Sequence, residues 1–461
     1  MNGLEISSLE FRQIANRMVD LAAEYLESLP SRETFPAEAT GANVQALFDT
    51  PIPEKGIGFN AAEALRDVLR FSRPPSPRFY GYVLGSGDPV AAAADLLASV
   101  LNQNVTAWRS GPAAVTIERT VVRWLAEAIG CGKFSGSLTG GGSSANLMGL
   151  MMAREAREAA NETGAHGGVV YASSEVHMSI GKAMALLGLG HANLRAIPVD
   201  NNFRMRIDEL ERTIEHDRRE RRHGIAVVAS AGTTNTGAID PLPEIADVAR
   251  RNGLWMHVDG AYGALAAIAE PEKFPGLDHA DSLSLDPHKW LYQPLDCGCL
   301  LFRDAAHAQR AFAHSGEYAR SLYADPVEGF AFFEESMELS RRFRALKVWL
   351  SIRYHGLEKF RQAIRDDLRH ARMLADLVRE SSELELLAPV ELSAVCFRHR
   401  AGDNAFNERV LKQVIRRGNV YISNAAIHGQ FALRACFVNH RTTDADVRRV
   451  VDEVLAAGRE S

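Results

Sequence analysis

The sequence predicts an α/β fold: a large domain on a mainly parallel sheet, followed by a smaller C-terminal α+β domain. Three observations carry this expectation. From about residue 111 to 302, apolar runs of buried-strand length alternate with helix-periodic stretches, the pattern of a sheet covered by helices. The 461 residues exceed the ~100–200 of one ordinary core. Polar or glycine-rich clusters follow several of the strand-like runs, and in such folds ligands sit beyond the strands' carboxyl ends.

The opening stretch to residue 28 places Ile14, Met18, Leu21 and Tyr25 at helical spacing. Residues 30–60 are rich in Pro and Gly and read as an extended connector. The cluster SRPPSP at 72–77 cannot be a helix interior, because proline removes a donor and clashes with the preceding turn. Asp88-Pro89 opens an Ala-rich helix to about residue 101. Strands are expected at 169–172, 225–230, 254–258, 282–285 and 299–302, with a helix at 242–251. Residues 303–340 lack periodicity and read as a mobile active-site element. A helix at 342–354, strands at 393–398 and 431–437 and a last helix at 444–457 complete the chain. The expected divisions are 1–80, a helical segment and connector; 81–340, the large domain; and 341–461, the small one.

Composition narrows the function classes. Hydrophobic residues make up 46% and charged residues 24%, as in soluble globular proteins. The formal charge of −6 gives no reason to expect nucleic acid as a partner. No run reaches the ~18 apolar residues of a membrane span. The N-terminus lacks a basic start and apolar run, so no secretion signal is expected. Five scattered cysteines make a poor disulfide framework, and the expected setting is a reducing cytoplasm. Cys297-Gly298-Cys299 lacks a second ligand pair at zinc spacing, and no metal is expected. The basic run RRERR at 218–222 reads as a solvated face.

Five clusters carry chemistry. Gly140-Gly141-Gly142-Ser143 precedes a helix-forming run, where backbone N–H groups and the helix N-terminus favour a phosphate, although ordinary turns look similar. His177, in SSEVHMS, can stack on a planar group and move a proton, or serve structure alone. Thr234, in GTTNTG, offers a hydroxyl, with turn chemistry as the competing reading. Asp259, in HVDGAYG, ends an apolar strand 30 residues before Lys289; it suits a protonated pyridine nitrogen, or a helix N-cap. Lys289, in Asp286-Pro287-His288-Lys289-Trp290, can become a nucleophile when desolvation removes its charge; alone, it reads equally as a surface residue.

In this order, with HVDGAYG, ADSLSLDPHKW and LSRRFRALKVW, the chain closely resembles the group II pyridoxal-phosphate decarboxylases from about residue 70 to 445. The resemblance implies the aspartate-aminotransferase fold (fold type I), pyridoxal 5'-phosphate as cofactor, and a homodimer with active sites at the subunit interface. It implies Lys289 as the Schiff-base lysine and Asp259 opposite the pyridine nitrogen. His177 would stack on the ring, with Ala261 beneath its other face. Gly142, Ser143 and His288 would surround the phosphate, Asp286 would belong to the cofactor site, and Thr234 would lie near the ring substituents. Arg434 in FALRACF matches an arginine that family members place near the substrate carboxylate, and a guanidinium can grip one bidentately.

The activity so implied is decarboxylation of an L-amino acid to an amine and carbon dioxide, within amino acid and carboxylic acid metabolism. An aromatic substrate is the first expectation, with Phe79 and Tyr82 lining its pocket. Asn104 and Thr106 stand where aromatic decarboxylases carry apolar residues, so acidic or diamino acids stay open. Counting back from LSRRFRALK puts the family's proton-donating tyrosine on Phe332, which cannot donate; Tyr323 or Tyr318 is the substitute. With neither acting, the product would be an aldehyde, as in the family's aldehyde synthases. A pyridoxal lyase cutting a carbon–carbon bond is the remaining alternative.

Overall fold

The computed structural model describes residues 4–314 and 325–461. Its main sheet has seven strands: β1 (Ser135–Thr139), β2 (Val169–Ser173), β3 (Leu194–Ile197), β4 (Gly224–Ser230), β5 (Trp255–Asp259), β6 (Ser282–Leu285) and β7 (Gly298–Phe302). They lie in the order β1-β7-β6-β5-β4-β2-β3. Pairings from β3 through β6 are parallel, and β7 is antiparallel to both neighbours, so only β7 runs against the rest. Strands β2, β5, β6 and β7 are buried along their whole length, which explains their continuous apolar runs.

Helices cover both faces. Gly142–Arg157 and Met178–Leu186 pack with Val170, Ala172, Val228 and Leu300 in one layer. Pro112–Ala128 and Leu242–Asn252 pack with Val227, Val258, Leu283 and Leu301 in the other. Because β1, β2, β4, β5 and β6 run the same way, the segments that follow them emerge at one edge.

A second, antiparallel sheet has the order β10-β11-β9-β8, from β8 (Leu384–Leu386), β9 (Ala394–His399), β10 (Ser423–Ile427) and β11 (Gln430–Cys436). The helices Leu357–Glu380, Asn404–Arg417 and Asp444–Glu460 bury Leu374, Val410 and Val450 against it. Backbone bonds from Tyr80 N to the Tyr421 carbonyl (2.8 Å) and from Cys436 N to the Tyr80 carbonyl (2.9 Å) tie the segment near residue 80 to this sheet.

The expected elements are present with shifted ends, and three expectations change. Residues 30–60 are not wholly extended: Thr40 caps a helix at Gly41–Phe48. Residues 303–340 are not uniformly irregular: Asp304 caps a helix at Ala305–Phe312 by accepting from Ala306 N. The helix expected from 342 starts at Ala345; the Arg341 N–H is held outside it by Asn104 Oδ1 at 2.9 Å. Strands β3, β8 and β10 were not expected, and neither was β1. Its sequence SGSLT has little apolar content, since it packs backbone against β7 instead of burying large side chains.

One buried ion pair fixes the free edge of β1. Arg341 and Glu118 are fully buried and bonded to each other. Glu118 accepts from Leu138 N at 2.9 Å, while Arg341 donates to the Leu138 and Val105 carbonyls, each at 2.9 Å. The pair thereby satisfies edge groups that would otherwise be buried without partners. Removing one member leaves the other as an uncompensated charge. Arg341→Ala is therefore expected to destabilise the protein by about 3–5 kcal/mol, and Arg341→Met with Glu118→Leu by clearly less. Urea denaturation of both variants checks this; equal losses would contradict it.

Candidate active site

The strand ends at one edge of the main sheet surround a cavity of about 550 Å³. Asp259 ends β5. It is buried, and its carboxylate accepts from Asn146 Nδ2 (2.9 Å), Ser284 Oγ (3.1 Å) and Ala261 N (3.2 Å). Among the described residues no lysine or arginine pairs with it, so neutral donors alone hold a carboxylate at the cavity wall. Such a group is well disposed to meet a cation brought by a ligand.

Lys289 lies on the short helical turn Pro287–Trp290 after β6. Its Nζ is 2.9 Å from Asp286 Oδ2, while the buried Asp286 Oδ1 has no partner. His288 donates from Nδ1 to the Cys297 carbonyl at 2.7 Å, and burial lowers its pKa. His177, at the N-terminus of Met178–Leu186, has its pKa lowered mainly by burial, against the opposing charge of Asp259.

The glycine loop comes from β1. Gly141 sits at φ +144°, and the N–H groups of Gly142 and Ser143 have no acceptor among the described residues. Two close approaches require glycine here. A Cβ on Gly298 of β7 would lie 2.5 Å from the Gly141 backbone. One on Gly142 would lie 2.6 Å from Ala261 Cβ and 2.9 Å from Asp286 Oδ2. The loop is thus packed down so that its free donors face the cavity, a cradle suited to a phosphate.

Turn chemistry accounts for two of the threonines of GTTNTG. Thr233 and Thr236 build the turn, through an Oγ1–Oγ1 bond of 2.9 Å and a bond from Ala238 N to Thr233 Oγ1. Thr234 lines the cavity.

Arg434 arrives from β11, buried, with Nε donating to the Asn235 carbonyl at 3.1 Å and Nη2 unpartnered. Its Nη1 reaches the carbonyl of Tyr82, a residue held at φ +62°. A non-glycine residue there is strained by about 1–3 kcal/mol, and such strain recurs at ligand sites.

Phe79 does not line the cavity; its buried ring stacks on Tyr421 at 4.8 Å, under the Arg73 guanidinium. Asn104 and Thr106 do not line it either. Phe332 is a core residue, fully buried between Phe330 and Arg341. Tyr318 and Tyr323 lie outside the described residues. The remaining expected site residues all line the cavity. Sequence reasoning missed Asn146, Ser284, Ser423 and Asn424. Asn146 was visible, four residues beyond Gly142 on the same helix, but nothing local marked its partner.

The unpartnered N–H groups and the glycine cradle fit a phosphate, and Lys289 on the same cavity wall fits a group that bonds a lysine. The comparisons agree. Residues 48–400 match the pyridoxal-dependent decarboxylase conserved domain. An aromatic-L-amino-acid decarboxylase of Bacillus atrophaeus is 33% identical, over 99% of this chain and 97% of that protein. A phenylacetaldehyde synthase of Petunia hybrida is 31% identical, over 92% and 89%. The crystal structure of Oryza sativa TDC with PLP and tryptamine superposes with a TM-score of 0.92 at 28% identity, covering 100% of this chain and 99% of that one. The fold is the expected aspartate-aminotransferase type.

Gly142→Ala tests the cradle. The new methyl meets Ala261 Cβ, which cannot rotate away, so overpacking of about 1–3 kcal/mol is expected at the phosphate position. Pyridoxal phosphate should bind about 10- to 100-fold more weakly by fluorescence titration. Unchanged affinity would place the phosphate elsewhere.

Proposed function

The chain belongs to the pyridoxal-dependent decarboxylase family and decarboxylates an amino acid with pyridoxal 5'-phosphate; on that premise we propose that its substrate is an aromatic L-amino acid. The observation that carries the assignment of roles is the shared cavity of Lys289, Asp259 and Arg434, three charged groups contributed by β6, β5 and β11.

When bound, the cofactor supplies an electron sink for the pair released as the Cα–carboxylate bond breaks. Lys289 would provide the amine that bonds the cofactor, with Asp286 Oδ2, 2.9 Å away, paired to Nζ. Asp259 would face the pyridine nitrogen: its oxygens already accept three neutral bonds, and a cation would complete them. His177 and Ala261 would form the two faces of the ring slot. Gly142, Ser143 and His288 would hold the phosphate, and Thr234 would lie by the ring substituents. Arg434 Nη2 binds the substrate carboxylate.

Tyr82, Val83 and Met178 give the cavity an apolar wall, which supports an aromatic side chain. The phenol of Tyr323 returns the proton to Cα, and Tyr318 is the substitute. The chain acts as a homodimer in a reducing cytoplasm. Leu96, Leu97, Val100 and Leu101 are exposed along the helix Pro89–Leu101, which supports a covered face there. All five cysteines are free and buried, which supports the compartment.

The purified protein, pyridoxal phosphate and a panel of amino acids in air, with carbon dioxide, amine, aldehyde and peroxide recorded together, test this reading. Equal amine and carbon dioxide from an aromatic substrate, and neither with Lys289→Ala, are expected. Aldehyde with peroxide would replace the amine product, and no carbon dioxide from any substrate would sink the reading. Arg434→Met should raise KM for the amino acid about 10- to 100-fold. Tyr323→Phe should slow amine formation by about 10²–10⁴-fold; full activity there, with loss in Tyr318→Phe, moves the donor to Tyr318.

A further inference from the structure

Behind the cavity wall the buried polar groups form one chain whose direction can be worked out atom by atom. Asn146, on the helix Gly142–Arg157, is 1% exposed. Its Nδ2 lies 2.9 Å from both Asp259 Oδ2 and Ser179 Oγ, and its Oδ1 lies 2.9 Å from His257 Nε2. A carboxylate accepts and cannot donate, so the amide nitrogen must face Asp259 and the amide oxygen His257. His257 must then carry its proton on Nε2. Its Nδ1 accepts from Ser282 Oγ at 2.8 Å, and that oxygen accepts from Trp255 Nε1 at 2.8 Å. Burial pushes His257 down to about 4, so the single-proton form the chain requires is the one present near neutrality.

The other arm is equally directed. Ser179 Oγ accepts from Asn146, and its own proton is free to go to His177 Nδ1 at 2.8 Å. The Ser179 backbone N–H also donates to Nδ1, at 3.3 Å. Accepting twice, Nδ1 has no room for a proton. Neutral His177 therefore carries it on Nε2, which has no partner among the described residues.

We propose that Asn146 is a positioning residue that fixes the tautomer of His177 and the donor set of Asp259 together, so that one face of the ring slot and the carboxylate at its edge are set by one amide. This rests on the proposed use of the cavity. Turning the amide over would set nitrogen against His257 Nε2–H and oxygen against the Asp259 carboxylate, so only one orientation is consistent.

The test is the imidazole nitrogen shifts of ¹⁵N-histidine-labelled, cofactor-free protein, with His177→Asn and His257→Gln assigning the signals. In the unmodified chain both rings should be Nε2–H tautomers. In Ser179→Ala the His177 signal should move toward a tautomer mixture while His257 stays. In Asn146→Ala both should move, and pyridoxal phosphate should bind about tenfold more weakly. Asn146→Leu keeps the volume and loses the donors and the acceptor; a merely space-filling role predicts wild-type shifts and affinity there. Unchanged His177 shifts in both Asn146→Leu and Ser179→Ala would overturn the proposal, and if Asn146→Ala does not fold these two variants decide alone. The shifts need no cofactor, so a chain that decarboxylates with unmoved tautomers refutes only this inference. Moved tautomers without carbon dioxide release refute only the proposed activity.

Discussion

A carboxylate buried among neutral donors is the constraint around which the rest of the site is arranged. Asp259 ends the central strand β5 with no lysine or arginine paired to it among the described residues. Taking such a charge out of water costs several kcal/mol unless its oxygens are bonded and an opposite charge arrives. The donors come from three places, the strand β6, the turn after β5 and the glycine-loop helix, so holding Asp259 ties those elements together. The remaining requirement, a positive charge, is one that a protonated pyridine ring meets. The site is incomplete by itself in a way that favours its cofactor.

The opposite arrangement holds at Lys289. There a cation and a carboxylate, Lys289 and Asp286, face each other at 2.9 Å across the other side of the cavity. The two carboxylates of the cavity are thus held differently, Asp259 by neutral donors and Asp286 by a lysine. Strand β7 sets the glycine loop beside them. Running against its neighbours, it returns beside β6 and presents Gly298 to the glycine loop, which then packs backbone to backbone and keeps its N–H groups free.

Much of this was legible in the sequence because the chemistry sits at strand ends. Buried parallel strands read as apolar runs, and a polar cluster directly after such a run is a small, recognisable signal. DPHKW after SLSL and HVDGAYG after LWM are of this kind. One expectation fails for a physical reason. Phe79 is an aromatic near the expected pocket in sequence, yet its ring is spent on packing against Tyr421 and Arg73. Strand β1 escaped notice because an edge strand packed through its backbone needs no apolar alternation.

The sequence by itself determined the strand ends, the residue types placed there and their order along the chain, since these depend on local periodicity and side-chain chemistry. Tertiary structure alone decided which of those residues share one wall. Arg434 meets Tyr82 across 352 residues, and Asn146 meets Asp259 across 113. The sheet order β1-β7-β6-β5-β4-β2-β3, which no periodicity encodes, brings the second pair together, and the bonds from the segment near residue 80 to the second sheet bring the first. The direction of every bond from Trp255 to His177 likewise follows from packing, because a buried amide has one orientation that satisfies both its neighbours.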